Sequence, residues 1–196
     1  MSTLFISDLH LHPSRPAIIE CFLTFLQQQQ GQAETLYILG DLFETWIGDD
    51  HPEPAYQPVK SALKVFSSAG KPVYLMHGNR DFMVGKGFAN ETGVKILEDP
   101  YKVTMYGEKT LLSHGDILCT DDVAYQRVRK MVRDPDWQAS MLAKPLKERL
   151  RIAREARRQS LEQTINKSLE IMDVNQDEVL RTIRARCVDL LIQHGT

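Results

Sequence analysis

The first half of the chain alternates between short apolar runs and helical patterns, and this order constrains the fold more than any other feature. The apolar runs cover residues 3–6, 36–39 and 72–76, and each gives way to a polar loop. Helical periodicity bounded by proline and glycine fills 16–31 and 58–69. This alternation predicts an α/β protein whose sheet is buried on both faces.

The second half of the chain follows a different pattern. We predict a hairpin, a helical segment, a further helix and a strand, at 103–112, 122–168, 175–186 and 188–192 in that order. A length of 196 residues suits one domain and is ample to bury one core. We therefore interpret the chain as a single domain, 1–196, with a helical insertion at about 122–168.

Composition excludes several classes of protein. Apolar residues make up 42% of the chain and charged residues 26%, unlike a disordered, collagen-like or membrane-spanning chain. The formal net charge of -2 gives no sign of nucleic-acid binding through bulk charge. The three scattered cysteines, Cys21, Cys119 and Cys187, do not suggest a disulfide framework. Since the N-terminus also lacks a secretion signal, we expect the protein in the cytosol.

Residues that can bind a metal follow the predicted strands. Asp8 and His10 follow the first strand, Asp41 the second, Asn79 the third and His114 the hairpin. Side chains just beyond the carboxyl ends of strands converge in one crevice of an α/β sheet, so we expect these five to meet there. The spacing of Asp8 and His10 lets both side chains point to one side of an extended segment.

The chemistry of these five residues points to a metal site. Carboxylate, amide and imidazole groups together suit Mn²⁺, Fe²⁺, Zn²⁺ or Mg²⁺. Two such ions bridged by a carboxylate would activate a water and hold a phosphoryl oxygen, which is hydrolase chemistry. Each residue alone has a plainer explanation, since the Asp and Asn residues could make turn hydrogen bonds and the histidines could be structural. Their joint position at strand ends favours the metal site.

Sequence blocks around these residues resemble the calcineurin-like metallophosphoesterases. The blocks are Asp8-Leu9-His10, Gly40-Asp41, Gly78-Asn79-Arg80-Asp81 and His114-Gly115-Asp116. Longer blocks at 37–44, 46–50, 77–82 and 118–122 are similar to one branch, the UDP-2,3-diacylglucosamine hydrolases of lipid A biosynthesis. The resemblance covers essentially the whole chain. It implies a four-layered α-β-β-α sandwich with an inserted helical lid, two Mn²⁺ ions, and hydrolysis of UDP-2,3-diacylglucosamine to UMP and 2,3-diacylglucosamine 1-phosphate (lipid X).

The resemblance also implies roles for individual residues. It implies metal ligands at Asp8, His10, Asp41, Asn79 and His114. Of these, Asp41, Asn79 and His114 are also implied in catalysis, with Asp41 as the bridging carboxylate. It implies substrate contacts at Asn79, Arg80, Asp122, Ser160, Thr164 and Lys167. An arginine is a suitable bidentate partner for a phosphate, and the last three of these residues are spaced to share one helix face.

The helical insertion is strongly basic. Residues 122–168 contain twelve Lys and Arg against six Asp and Glu, interleaved with apolar residues. Alone, the segment is typical of a solvated, salt-bridged helical hairpin. The resemblance implies instead a lid with a channel for acyl chains, whose cationic surface suits peripheral contact with the anionic cytoplasmic face of a bacterial inner membrane. No nucleic-acid partner is expected, and the sequence identifies no protein partner.

The end of the chain departs from the family pattern. Family members continue after the strand at 188–192 with Gly-His-Thr-His-Arg, whose histidines complete the metal pair, whereas this chain has Gln193-His194-Gly195-Thr196. We expect the last strands of the family to be missing, which would expose a sheet edge. We also expect the second metal site to be incomplete, with His194 as the one remaining histidine of that block.

Two alternatives to the lipid-nucleotide hydrolase follow from these observations. An inactive, truncated product could still bind lipid or nucleotide through Arg80, Ser160 and Lys167. A metallophosphoesterase of another specificity could act on a different nucleotide pyrophosphate.

Overall fold

The structure is a computed structural model that describes residues 2–165, 171 and 173–193. The chain divides into two units, 1–98 and 99–196. The first unit contains strands β1 (Ser2–Ile6), β2 (Ala33–Leu39), β3 (Val73–Met76) and β4 (Lys95–Leu97), and helices α1 (Pro16–Gln29), α2 (Gln57–Ser68) and α3 (Lys86–Thr92).

The four strands of the first unit form a parallel sheet in the order β1-β2-β3-β4. Each connection steps in the same direction, and parallel crossovers are almost always right-handed, so the three helices must lie on one face of this sheet. Contacts of α1 with α2 and of α2 with α3 agree with that arrangement. The carboxyl ends of all four strands consequently lie at one edge.

The helices α1 and α2 form where the apolar periodicity predicts them. Proline occupies the first turn of each, where its missing N–H has no helical partner to lose. The buried residues of the two helices recur at spacings of three and four: Ile19, Phe22 and Leu26 in α1, and Val59, Leu63 and Phe66 in α2. Burying each such side chain stabilises the fold by roughly 1.5–3 kcal/mol.

A ladder of aromatic rings runs across the parallel sheet. Phe5 pairs in register with Tyr37, and Tyr37 with Tyr74. Their rings stack with centroids 5.3 and 4.9 Å apart, within the range of favourable aromatic contacts. Because a slip of one residue would move these rings to the other face, the ladder helps to fix the register of the three strands.

The second unit contains strands β5 (Tyr101–Met105), β6 (Glu108–Ser113) and β7 (Leu190–Gln193), and helices α4 (Val123–Val132), α5 (Pro135–Leu142), α6 (Leu146–Ile165) and α7 (Gln176–Arg186). The predicted hairpin is formed by β5 and β6, and β7 pairs parallel to β6. Tyr106 and Gly107 connect the hairpin with φ of 53° and 90°, the positive pair that suits the twist of a two-residue hairpin.

The described part of the basic segment, 122–165, is helical as predicted and forms α4, α5 and α6. Asp122 caps α4 by accepting a hydrogen bond from the N–H of Tyr125, and Asp134 caps α5 through the N–H groups of Asp136 and Trp137. Asn175 caps α7 in the same way. No helix within the described residues is both long and apolar enough to span a bilayer.

The fold class is confirmed as α/β, since parallel strands alternate with helices in the first unit and helices follow the hairpin in the second. Two elements, α3 and β4, were not predicted. Helix α3 has only seven residues and includes Gly87 and Asn90, which disfavour helix, so its sequence carries little local signal. The organisation as one domain with an insertion stays a prediction.

Candidate metal centre

Three of the predicted ligands meet at the carboxyl edge of the parallel sheet. Ligand atoms of Asp8, His10 and Asp41 all lie within 4.8 Å of one another. The Nε2 atom of His10 is 3.8 Å from Asp8 Oδ1 and 3.8 Å from Asp41 Oδ2. Asp8 and His10 are half-buried, and Asp41 is buried. The geometry therefore places two carboxylates and one imidazole around a common point.

The backbone that carries Asp8 and His10 differs from the extended segment we expected. Both residues have positive φ, 55° and 47°, and Asp41 has a φ of 54°. Asp8 N–H donates to the carbonyl of Gly40 at 3.1 Å, and His10 N–H to that of Asp41 at 2.9 Å. The loop after β1 therefore stays paired with the loop after β2, in a left-handed conformation that costs on the order of 1–3 kcal/mol per residue.

The loop after β3 closes on Asp41 from the other side. The backbone N–H of Arg80 donates to Asp41 Oδ1 at 2.8 Å. Gly78 lies so close that a Cβ at this position would collide with the carboxylate and the backbone nitrogen of Asp41. Only glycine allows this approach, and Asp41 is held in one orientation as a result.

Asp81 has a supporting role that the sequence did not assign. Its carboxylate is fully buried and accepts hydrogen bonds from the N–H groups of Leu42 at 2.8 Å, Gly78 at 2.9 Å and Asp41 at 3.3 Å. One side chain thus ties the loop after β2 to the loop after β3. The only sequence signal was its place at the end of the Gly78-Asn79-Arg80-Asp81 block.

Asn79 and Arg80 follow β3 as predicted and are half-buried. Besides burial, the positive charge of Arg80 lowers the pKa of His10. Burial lowers the pKa of the His10 imidazole, and the guanidinium groups of Arg80 and Arg15 lower it further, against the opposing carboxylates of Glu44 and Asp8. The imidazole is therefore biased towards its neutral form, the form that can bind a metal.

Two residues of the sequence block at 46–50, Trp46 and Asp49, stabilise the start of α3. Trp46 Nε1 donates to Asp49 Oδ1 at 3.0 Å. The same carboxylate accepts hydrogen bonds from the N–H of Gly85 at 3.0 Å and of Phe88 at 3.1 Å. Asp49 therefore caps α3 from a distant part of the chain, and its negative charge suits the N-terminus of a helix.

His114 belongs to the second unit, where it follows β6 and is completely buried. Its backbone N–H donates to Asp99 Oδ1 at 3.3 Å, and the Ser113 hydroxyl donates to the same oxygen at 2.8 Å. Its role as a metal ligand stays a prediction, as does that of Asn79.

A buried ionic network surrounds the loop that follows His114. Arg129 Nε lies 2.9 Å from Asp116 Oδ1, and Arg129 Nη2 lies 2.8 Å from Asp99 Oδ2. The Tyr125 hydroxyl donates to Asp116 Oδ2 at 2.7 Å. Burial alone would raise the pKa of the Asp116 carboxyl, but Arg129, His114 and Tyr125 outweigh it and hold that pKa below its ordinary value.

The remaining predicted substrate contacts lie in the second unit. Asp122 is buried and caps α4. Ser160 is exposed on α6, and Thr164 lies one turn further along the same helix. Lys167 and His194 lie outside the described residues. Substrate binding by these residues is untested.

The side chains present fit a divalent cation. Two carboxylates and an imidazole are a donor set that such ions accept. The three residues that supply these groups are also three of the five non-glycine residues with positive φ in the described part of the chain. Backbone strain of this kind is common at functional sites, where contacts with the surrounding structure hold the residues in an unfavourable conformation.

Comparison with known proteins shows which family the chain resembles over most of its length. Residues 1–168 match the calcineurin-like phosphoesterase family. The UDP-2,3-diacylglucosamine hydrolase of Stenotrophomonas maltophilia strain K279a is 50% identical over 202 residues, which cover 100% of this chain and 81% of that protein. The proteins of the same name from Cellvibrio japonicus strain Ueda107 and Escherichia coli O7:K1 are 50% and 49% identical over 197 and 195 residues, again covering 100% of this chain and 81% of each.

Proposed function

Because the chain belongs to the calcineurin-like phosphoesterases, we propose that it hydrolyses the pyrophosphate bond of UDP-2,3-diacylglucosamine in lipid A biosynthesis. The products would be UMP and 2,3-diacylglucosamine 1-phosphate. The observation that carries this proposal is the meeting of Asp8, His10 and Asp41 at the edge of the parallel sheet. It is supported by the identity of about 50% to proteins named for that activity.

The proposed ligands are Asp8, His10, Asp41, Asn79 and His114, binding Mn²⁺. A divalent cation at this position supplies Lewis-acid polarisation of a phosphoryl oxygen and lowers the pKa of a water. Contacts within the chain fix one of these proposed ligands, Asp41. Asp41 is fixed by the N–H of Arg80 and by the close packing of Gly78, so little reorganisation is needed on binding.

Arg80 and Asn79 are the proposed contacts to the pyrophosphate. The backbone of Arg80 is tied to Asp41, and its charge is close enough to shift the pKa of His10. A guanidinium at this place is permanently charged and can pair with two phosphate oxygens at once. We propose that it orients the substrate and offsets the negative charge that develops on the phosphates.

The basic segment is the proposed contact for the acylated part of the substrate. Asp122, Ser160, Thr164 and Lys167 are assigned to the glucosaminyl lipid on the family resemblance. We also propose peripheral contact with the cytoplasmic side of the inner membrane. Four apolar side chains of α4, α5 and α6 support this because they are roughly half exposed: Val128, Met131, Leu142 and Leu161.

The test is release of UMP from UDP-2,3-diacylglucosamine as Mn²⁺ is added. We expect Asp41→Ala to abolish turnover, since it removes a ligand at the centre of the cluster. Glu91→Gln is a matched control, because Glu91 is an exposed carboxylate of the same unit that pairs with Lys60 at 2.9 Å. Folded, Mn²⁺-supplied wild-type protein that releases no UMP would contradict the proposal.

A second substrate separates this activity from hydrolysis of other nucleotide pyrophosphates. A UDP-sugar without acyl chains keeps the pyrophosphate but removes the lipid. We expect turnover to fall strongly on that compound. Equal turnover of both substrates would contradict specificity for the lipid.

A further inference from the structure

The two ring nitrogens of His10 face different partners. Nε2 faces the other two residues of the ligand cluster formed by Asp8, His10 and Asp41, at 3.8 Å from Asp8 Oδ1 and 3.8 Å from Asp41 Oδ2. Nδ1 faces away from the cluster, 3.6 Å from Glu44 Oε2. A ligand histidine in this orientation has one nitrogen for the metal and the other for a carboxylate.

Glu44 is itself held in place. An Arg15 Nη2 atom lies 3.2 Å from Glu44 Oε2, and the same nitrogen donates to the backbone carbonyl of His10. The backbone N–H of Glu44 donates to the carbonyl of Leu11 at 3.0 Å. Arg15 therefore joins the backbone of the ligand to the carboxylate that faces its ring.

We propose that Glu44, oriented by Arg15, is a positioning residue for His10. In this arrangement the Nδ1–H of His10 donates to the Glu44 carboxylate, which leaves the Nε2 lone pair directed at the cluster. The present distance between His10 Nδ1 and Glu44 Oε2, 3.6 Å, is slightly longer than a hydrogen bond, and a small turn of the ring would close it. Carboxylates that accept from a ligand histidine fix its tautomer and strengthen its binding to metal.

This inference rests on the metal centre proposed above. It also explains why Asp41 and Glu44 lie close together in the sequence. Glu44 follows Asp41 by three residues in the loop after β2. The loop after β2 therefore supplies the ligand Asp41 and also the residue that orients His10, the ligand in the loop after β1. Arg15 sits directly before α1, so the start of that helix is part of the same support.

The first experiment measures Mn²⁺ affinity without turnover, from the electron paramagnetic resonance signal of free Mn²⁺ during titration. We expect Glu44→Ala to weaken binding by about 10- to 100-fold. Glu91→Ala removes an exposed carboxylate from the same unit and should bind Mn²⁺ as the wild type does. Wild-type affinity in Glu44→Ala would overturn the inference.

The second experiment reads the histidine tautomer directly, in metal-free protein, by nitrogen-15 NMR. The His10 signals are identified by their loss in His10→Asn. We expect the Nδ1–H form in the wild type and a shift towards the Nε2–H form in Glu44→Ala, which a general loss of stability would not produce. An unchanged tautomer would overturn the role of Glu44.

The two experiments separate this inference from the proposed function. Wild-type Mn²⁺ binding by Asp41→Ala would contradict the metal centre itself. The tautomer measurement needs no metal, so it decides the role of Glu44 whichever result Asp41→Ala gives.

Discussion

At the scale of single residues, the candidate site depends on one close approach between two loops. Gly78 reaches the carboxylate and the backbone nitrogen of Asp41, while the buried Asp81 carboxylate accepts N–H groups from both loops. A side chain at position 78 would have to push Asp41 away, because its Cβ would lie 1.9 Å from Asp41 Oδ1 and 2.3 Å from the Asp41 nitrogen. The position of Asp41 is thus set by a residue that has no side chain.

We predict that Gly78→Ala weakens Mn²⁺ binding by at least about tenfold, because a displaced Asp41 no longer meets Asp8 and His10, and even small misplacement of ligands is costly. Isothermal titration calorimetry measures the affinity. Gly31→Ala is the matched control, since a Cβ there meets nothing within 4 Å. The prediction fails if both variants bind Mn²⁺ equally well.

At the scale of elements, α4 is attached to the loop after β6 by charge rather than by apolar packing. None of the residues of α4 is buried. Arg129 from this helix instead bridges Asp116 and Asp99, and Gln126 donates to the backbone carbonyls of Asp116 and Cys119 at 2.7 and 3.0 Å. The helix that opens the basic segment therefore also supports the loop that carries His114.

Breaking this attachment should lower the free energy of unfolding substantially. Arg129→Met removes the closest cation from the fully buried carboxylate of Asp116, and removing one partner of a buried ion pair costs about 3–5 kcal/mol. Arg133→Met makes the same chemical change at a nitrogen 3.8 Å from Asp116 Oδ2, so we expect a smaller loss. Urea denaturation of the metal-free protein measures both. Equal losses in the two variants would contradict the larger contribution assigned to Arg129.

Local sequence signals predicted some elements and not others, for a physical reason. Helices α1 and α2 carry proline starts and apolar periodicity within their own residues, so they could be predicted. The cap of α3 comes from Asp49, which lies 36 residues before Gly85, and no local pattern reports it. The supporting roles of Glu44 and Asp81 were missed likewise, because they depend on contacts between loops that only the folded sheet brings together.

At the scale of the whole molecule, the net charge of -2 is the sum of a basic segment, 122–168, and an acidic remainder. Some of the charge of the basic segment is used internally, since Arg158 pairs with Glu155 at 2.7 Å and also with Glu162. This part of α6 agrees with a solvated, salt-bridged helix. Arg151 and Arg154 are exposed on the same helix. They are the better candidates for attraction to an anionic surface.

We predict that reversing Arg151 and Arg154 together to Glu weakens co-sedimentation with anionic vesicles by about tenfold or more, since each basic residue near such a surface contributes about 1 kcal/mol. Hydrolysis of detergent-solubilised substrate should change little, because these side chains belong to the proposed membrane contact and not to the metal centre. The control reverses Lys64 and Lys86, two exposed lysines of the first unit, and changes the net charge equally. If both double variants lose vesicle binding to the same extent, the attraction follows bulk charge and α6 is not the contact surface.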